Sequence, residues 1–239
     1  MMSKQAPSRL RLFSLFLAEQ KDPAPFHRQL ASEAVDELPA DLSDQLVVDL
    51  GCGPGHYTRA LRERGANVLP VDLSPDEFSL PCGPPGGEIV ASGMALPFKT
   101  GSVDGLLCSN MIEHTPDPLS VFDEIERIVR PGGWVWLSWT NWYSPWGGHD
   151  VSPFHYLGPE VGLRAYRRVT GREPKNVPMQ SLFPLHIGST LRELRSRHEL
   201  AIVDVAPRYY PSQRWILSVP GLREVATWNC RVMAKRVSW

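Results

Sequence analysis

The segment Leu46–Leu61 reads LVVDLGCGPGHYTRAL and directs the interpretation of the rest of the chain. Its first three residues, LVV, are apolar and too few for a helix, which predicts a short buried strand. Glycines then alternate at positions 51, 53 and 55, and the residues after His56 have the composition of a helix start. A strand that breaks on glycine into a helix brings backbone N–H groups against a ligand. The segment therefore predicts a ligand-binding turn, with the carboxylate of Asp49 beside it.

The spacing of the glycines bears on the kind of ligand. The dinucleotide fingerprint is G-x-G-x-x-G, and here its sixth position is His56 instead of glycine. Asp49 stands two residues before the first glycine, where a negative charge suits an ammonium group better than a pyrophosphate. The pattern D-x-G-x-G-x-G resembles motif I of the class I S-adenosylmethionine (SAM) methyltransferases. In that family the loop backs the methionine part of the cofactor, and the acid lies near its amino group.

A second acid follows at the end of the next predicted strand, Asn67–Asp72. An acid about 20 residues beyond the glycines suits a ribose diol, because one carboxylate accepts hydrogen bonds from both hydroxyls. The resemblance gives Asp72 this role and places Leu73 near the adenine. The structural alternative is that Asp72 caps the turn at Ser74-Pro75.

The resemblance continues to about residue 140. The segment Ser92–Phe98, SGMALPF, is similar to the family's D-A-x-x-L-P-F, with Ser92 in place of the aspartate that receives the adenine amino group. Binding of the adenine is then expected to depend more on the backbone of Gly93 and Met94. Asn110 follows the fourth predicted strand, Val103–Ser109, where the resemblance implies contact with the methionine end. The resemblance thus implies SAM as cofactor and S-adenosylhomocysteine as product, bound by Asp49, Gly51, Cys52, Gly53, Gly55, Tyr57, Asp72, Leu73, Ser92, Gly93, Met94 and Asn110.

The length of 239 residues suits one large α/β domain. The resemblance implies a Rossmann-like, doubly wound, seven-stranded sheet that is mostly parallel, with an antiparallel last strand. Within the single domain 1–239 we expect an N-terminal helical lid at 1–40, the SAM-binding core at 41–140, an acceptor-side insertion at 141–190 and C-terminal strands that complete the sheet at 191–239.

The cysteines and the apolar runs indicate the compartment. The chain has four cysteines without C-x-x-C spacing, which predicts neither a metal site nor a disulfide framework and favours a reducing compartment. The apolar run Leu12–Ala18 is too short to span a bilayer and lacks a small-residue cleavage site after it. We therefore expect a cytoplasmic protein.

Charge is unevenly distributed along the chain. Residues 31–130 hold 17 Asp/Glu against 6 Lys/Arg, whereas residues 131–239 hold 7 against 14 and residues 1–30 hold 2 against 5. Basic terminal segments suit an anionic acceptor or peripheral contact with a membrane, and an ordinary solvated surface is the structural alternative.

Three histidines are candidates for the catalytic base. Transfer of a methyl group from a sulfonium is an in-line displacement, and a base is needed only when the nucleophile is protonated and weakly acidic, such as an alcohol. Histidine suits that task at neutral pH. His149 and His155, in the aromatic segment 141–160, come first and His114 third, although each also fits a structural or surface role. Their presence favours oxygen as the accepting atom.

The pattern after the fourth predicted strand narrows the acceptor. Methyltransferases that act on base or glutamine amide nitrogens carry N-P-P-Y or D-P-P-Y there, and this chain has Ser109-Asn110-Met111-Ile112. Basic residues occur without a stacking platform, so we expect no nucleic-acid partner. A small-molecule or lipid- or sugar-linked acceptor remains. Two other functions stay open: a nicotinamide-dependent oxidoreductase, disfavoured by the missing third fingerprint glycine, and a catalytically silent SAM-fold binding protein.

Overall fold

The computed structural model describes residues 9–18, 21–79 and 87–237. Of the four cysteines, Cys82 lies outside these ranges. The helices are α1 (Arg9–Ala18), α2 (Ala24–Asp36), α3 (His56–Glu63), α4 (Pro118–Ile128), α5 (Pro159–Thr170), α6 (Ile187–Ser196) and α7 (Leu222–Ala226). The strands are β1 (Leu46–Leu50), β2 (Asn67–Asp72), β3 (Ile89–Val90), β4 (Val103–Ser109), β5 (Val129–Thr140), β6 (Leu200–Pro207) and β7 (Asn229–Arg236).

Within the described residues, seven strands form one sheet in the order β3-β2-β1-β4-β5-β7-β6. The pairs β1–β2, β2–β3 and β4–β5 are parallel, while β7 runs antiparallel to both β5 and β6. This arrangement confirms the predicted Rossmann-like sheet and its reversed last strand. The last strand enters the sheet between β5 and β6 instead of extending its edge.

Contacts along the chain separate two compact units, residues 1–91 and 92–239. The first unit holds α1 to α3 and β1 to β3. Its strand β1 is buried, as the apolar run predicts: Val47, Val48 and Leu50 are almost completely shielded from solvent. The division of the chain into a lid, a SAM-binding core, an acceptor-side insertion and C-terminal strands remains a prediction.

The second unit is built on the long strand β5. Although Pro131, Gly132 and Gly133 are typical turn residues, β5 begins before them, at Val129, which pairs with Val103. The register between β4 and β5 shifts beyond that pair, which accommodates the extra residues. Gly133 is required there, because a Cβ would lie 2.7 Å from the carbonyl oxygen of Asp104.

The structure also bears on the question of a membrane span. Among the described residues, no helix is both long and apolar enough to cross a bilayer.

Candidate functional site

The turn after β1 is held open by three glycines. Gly51, Gly53 and Gly55 have φ angles of 72°, 47° and 80°, a region that other residues enter only with strain. The backbone N–H groups of Gly51 and Cys52 donate to the carbonyl of Val71, at 2.8 and 3.1 Å, which fastens the turn to β2. The glycine spacing in the sequence is therefore explained by the backbone conformation that the turn needs.

Asp72 joins the same turn from the end of β2. Its Oδ2 accepts a hydrogen bond from the backbone N–H of Gly53 at 2.9 Å, and its Oδ1 accepts one from Ser74 at 3.2 Å. A Cβ built on Gly53 would meet no other atom within 4 Å, so the space in front of this residue is open. Apart from the neighbours of Gly53 in the chain, the described residues therefore leave the space beside this glycine unfilled.

Asp49 lies beneath the turn and not on its surface. It is 1% exposed, and its Oδ2 accepts a hydrogen bond from the hydroxyl of Thr58 on α3 at 2.5 Å. Burial raises the pKa of Asp49 to about 7, and the nearby charge of Asp72 contributes to the rise. A cationic group at the turn favours the ionised form of Asp49, so the carboxylate acts on such a group from within the protein.

The other predicted cofactor residues of the first unit differ in exposure. Cys52 is buried, and burial raises the pKa of its thiol, which makes it an unreactive packing residue. Tyr57 is also buried, in the first turn of α3. Leu73 is 70% exposed directly after Asp72, which leaves an apolar surface for the predicted contact with adenine.

Helix α2 packs beside the helix that follows the turn. The rings of Phe16 and Phe26 are 5.6 Å apart, and the ring of His27 stacks on that of His56 at 5.8 Å with an interplanar angle of 6°. Burial, and next the nearby His27, lower the pKa of His56 to about 4. Helix α2 therefore contacts α3, and α1 contacts α2, an arrangement that suits either the predicted lid or a structural cap.

The predicted adenine segment, 92–98, belongs to the second unit. The hydroxyl of Ser92 accepts a hydrogen bond from the backbone N–H of Met94 at 3.2 Å, which closes a turn around Gly93. The backbone N–H of Leu96 donates to the carboxylate of Glu124 at 2.5 Å. The Ser92 hydroxyl thus has a structural partner, and its contact with adenine stays a prediction.

Asn110 follows β4 with an unusual backbone conformation. Its φ is 53°, its N–H donates to the carbonyl of Ser138, and its side-chain oxygen accepts a hydrogen bond from Asn229 at 2.8 Å. These contacts fix the side chain against β5 and β7. Its predicted contact with the cofactor stays a prediction.

His155 is fully buried. Its Nε2 donates to the carbonyl of Ser144 at 3.1 Å, and its ring packs edge-on against Trp142. Burial lowers the pKa of His155. A Cβ built on Gly148 would lie 2.4 Å from the Cβ of His155, so the backbone of this loop rests directly on the histidine. These contacts favour a structural role for His155 over the predicted role as a base.

His114 and His149 lie together. Their ring centroids are 5.1 Å apart at an interplanar angle of 82°. The Nδ1 of His114 lies 2.7 Å from the carbonyl oxygen of Ser181 and must carry the hydrogen, because a carbonyl only accepts. Burial, and next the charge of His114, lower the pKa of His149 to about 4. His149 is therefore neutral at pH 7.

Glu113 completes this group and was missed by the sequence reasoning. It is 1% exposed, and its Oε1 accepts a hydrogen bond from the backbone N–H of Thr140 at 2.9 Å. Burial raises the pKa of Glu113. One ligand atom from each of Glu113, His114 and His149 lies within 4.8 Å of the other two. The adjacent Glu-His pair was visible in the sequence, but nothing in the spacing connects it with His149. We call these three residues the Glu-His-His cluster.

Comparisons with other sequences extend over nearly the whole chain. Residues 48–137 match a family described as a methyltransferase domain. The chain is 39% identical over 232 residues to an uncharacterized methyltransferase of Mycobacterium sp. (strain JLS). The aligned region covers 92% of this chain and 91% of the relative. The chain is also 39% identical over 233 residues to an uncharacterized methyltransferase of Mycobacterium tuberculosis (strain ATCC 25618 / H37Rv), with the same coverage.

Solved structures share the fold at low sequence identity. An S-adenosylmethionine-dependent methyltransferase from Mesorhizobium loti superposes with a TM-score of 0.61 at 24% identity, covering 88% of this chain and 98% of that one. Geranyl diphosphate C-methyltransferase from Streptomyces coelicolor A3(2), in complex with Mg²⁺, geranyl diphosphate and S-adenosyl-L-homocysteine, gives a TM-score of 0.55 at 19% identity, covering 92% and 85%.

Proposed function

Because this chain belongs to the class I methyltransferase family, whose methyl donor is SAM, we propose that its first unit binds SAM at the glycine turn after β1. The observation that carries this assignment is the hydrogen bond from Gly53 to Asp72 beside an unfilled space. Asp72 places a carboxylate at the turn, and this carboxylate can accept hydrogen bonds from the hydroxyls of a ribose. Asp49 supplies a buried negative charge that favours the ammonium group of the methionine part.

The proposed acceptor is a hydroxyl group of a small molecule or of a lipid- or sugar-linked metabolite. In the reaction a bond forms between the acceptor oxygen and the methyl carbon, and the carbon–sulfur bond breaks with its electron pair returning to sulfur. The hydroxyl must lose its proton, because a neutral alcohol is a weak nucleophile. In the second unit, the Glu-His-His cluster gathers polar groups that can assist this loss. The exposed aromatic rings of Tyr143, Trp146 and Tyr156 suit a flat or apolar acceptor.

We also propose peripheral contact with a membrane for a cytoplasmic enzyme. On α1, the side chains of Phe13 and Leu17 are 50% and 64% exposed, and the segment 1–30 carries an excess of basic residues. Co-sedimentation with vesicles tests this part of the proposal. Binding to anionic vesicles that is lost in Phe13→Ser/Leu17→Ser is expected, and equal sedimentation of the parent and the variant with these vesicles would contradict the proposal.

Two experiments test the proposed function. Calorimetry with S-adenosylhomocysteine and with NADH distinguishes a methyltransferase from a nicotinamide-dependent oxidoreductase, and only the former ligand is expected to bind. Incubation of the purified protein with methyl-labelled SAM and a metabolite extract, followed by mass spectrometry, identifies the product. A labelled methyl ether is expected. Transfer to nitrogen or carbon would contradict the oxygen assignment, and the absence of any labelled product would favour the silent binding protein.

A further inference from the structure

We propose that the Glu-His-His cluster binds a divalent transition-metal ion, with Glu113, His114 and His149 as its protein ligands. Two imidazole nitrogens and one carboxylate oxygen form a ligand set that suits zinc, iron(II), cobalt or manganese, whereas magnesium and calcium prefer oxygen ligands alone. All three residues belong to the second unit, and one ligand atom of each lies within 4.8 Å of the others.

Hydrogen bonds orient two of the three side chains. His114 donates from Nδ1 to the carbonyl of Ser181 at 2.7 Å, so in the neutral imidazole Nε2 carries no hydrogen and its lone pair is available to a metal ion. Glu113 accepts the backbone N–H of Thr140 at Oε1, which leaves Oε2 for a ligand. Outer hydrogen bonds of this kind, from a ligating histidine to a carbonyl and to the second oxygen of a ligating carboxylate, are characteristic of metal sites.

Two buried atoms of the cluster have no hydrogen-bond partner among the described residues. They are Oε2 of Glu113 and Nε2 of His149. An unpaired buried carboxylate oxygen is unfavourable, and buried polar atoms without a partner are rare in folded proteins. A cation bound by both atoms would satisfy them together, whereas no direct hydrogen bond joins these two side chains in the structure.

The spread of the ligand atoms is compatible with one ion. At a bond length of about 2.1 Å, ligands on opposite sides of an ion lie about 4.2 Å apart, and adjacent ligands about 3 Å apart. The largest possible separation, 4.8 Å, exceeds the span of opposite ligands by about 0.6 Å, so a shift of this size in the two half-buried histidine side chains brings the three atoms within reach of one ion. Three protein ligands leave coordination positions open for a further ligand, as in catalytic sites.

The loop that carries His149 is well supported. Its backbone at Gly148 rests on the buried ring of His155, which donates to the carbonyl of Ser144. His149 itself has a φ of 48°. His155 therefore acts as a positioning residue for the loop that presents His149. This role explains why His155 is fully buried while His149 is only half-buried.

The role of the ion rests on the proposed function. An ion held by these residues would lower the pKa of an acceptor hydroxyl bound to it and so would supply the oxygen nucleophile that methyl transfer needs. The binding of the ion itself does not depend on methyl transfer. The two ideas can therefore fail separately.

Titration of the full chain with Zn²⁺ and with Co²⁺, after treatment with a chelator and its removal, tests the site. We expect one ion per chain by calorimetry and a visible absorption band with Co²⁺. Glu113→Gln retains an oxygen that accepts from Thr140, and His149→Asn tolerates the positive φ, so both variants are expected to fold. Each should lower the affinity at least about tenfold.

Two matched variants serve as controls. Asp150→Asn changes the carboxylate next to His149, which accepts from Lys175 and Asn176, and His198→Ala removes an exposed histidine. Both should bind zinc like the parent protein, and Mg²⁺ should not displace zinc. Equal affinity of the parent, Glu113→Gln and His149→Asn would overturn the proposal, as would no binding to a folded parent chain. Methyl transfer that continues in excess chelator would overturn the role of the ion but leave the proposed function intact.

Discussion

Asp72 accepts a hydrogen bond from the backbone N–H of Gly53 at 2.9 Å, and this contact joins the end of β2 to the glycine turn after β1. The two residues are 19 positions apart, and their relation places a carboxylate beside open space. In the proposed function this carboxylate receives the ribose hydroxyls of SAM. The contact therefore supplies the sharpest tests of the cofactor assignment.

Asp72→Asn should weaken the binding of S-adenosylhomocysteine. A hydrogen bond to a charged group contributes about 1.5–3 kcal/mol, so we expect the dissociation constant to rise roughly 10- to 150-fold. Asn retains one oxygen for Gly53, so the turn should keep its conformation. Calorimetry measures the change, with Asp76→Asn, an exposed acid four residues later, as the control. Equal affinities for the parent and Asp72→Asn would refute the ribose assignment.

Gly53→Ala should separate backbone strain from occupation of the open space. The added methyl meets no atom within 4 Å, and the positive φ costs about 1–2 kcal/mol of stability. Gly171 has a φ of 66° and equally open surroundings, so Gly171→Ala should lose similar stability. Only Gly53→Ala should lose affinity for S-adenosylhomocysteine, by at least about tenfold. Binding that is equally strong in both variants would show that no ligand approaches Gly53.

Asp49→Asn should stabilise the protein that lacks cofactor at neutral pH. The pKa of Asp49 is raised from 3.8 to about 7, so between these values the unfolded chain loses a proton that the folded chain keeps. The free energy of unfolding therefore falls as pH rises from about 4 to 7. Above pH 7, the ionisation of Asp49 lowers it no further. In Asp49→Asn, the amide oxygen still accepts a hydrogen bond from the hydroxyl of Thr58, and the side chain does not ionise. The free energy of unfolding at pH 7.5 should therefore exceed that of the parent protein by an amount on the order of 2–4 kcal/mol.

Urea unfolding between pH 5 and 8 measures the effect of Asp49→Asn. The margin over the parent protein should widen as pH rises from 5 to about 7 and stay constant from there to pH 8. The same variant should bind S-adenosylhomocysteine more weakly, because the buried charge that favours the ammonium group is gone. A variant that is less stable than the parent at pH 7.5, or that binds equally well, would contradict the role given to Asp49.

Gly148→Ala should disturb the loop that presents His149. Gly148 has an ordinary φ of −84°, so the substitution introduces a clash with His155 and little backbone strain. We expect a loss of about 1–3 kcal/mol in stability together with weaker zinc binding. Gly158→Ala, at a φ of 91° with open surroundings, has the strain without the clash. Zinc affinity in Gly158→Ala should match the parent, and unchanged zinc affinity in Gly148→Ala would show that the loop does not set the cluster.

His155→Phe should change stability more than chemistry. Phenylalanine fills the buried space but leaves the carbonyl of Ser144 without a donor, which costs about 1–3 kcal/mol. Thermal unfolding should show this loss, while methyl transfer by the folded variant should stay close to that of the parent, because the phenylalanine ring keeps the packing under Gly148. A hundredfold loss of turnover in a folded variant would restore His155 as the proton acceptor.

The sequence by itself determined the parts of the molecule that local geometry sets. The glycines at alternate positions after an apolar strand required a turn with positive φ, and the structure has it at Gly51, Gly53 and Gly55. The bounds of β2 and β4 also followed, since short apolar runs between turn residues form strands wherever they are buried. These features depend on residues close together in the chain.

Only the tertiary structure decided what depends on distant packing. It buried Asp49 under the turn and His155 under its own loop, although Asp49 was expected beside the ligand and His155 as a candidate base. It also brought His149 to Glu113 and His114, more than 30 positions earlier in the chain. Burial and contacts between residues distant in the sequence are set by the packing of whole strands and loops. The spacing of neighbouring residues does not encode them.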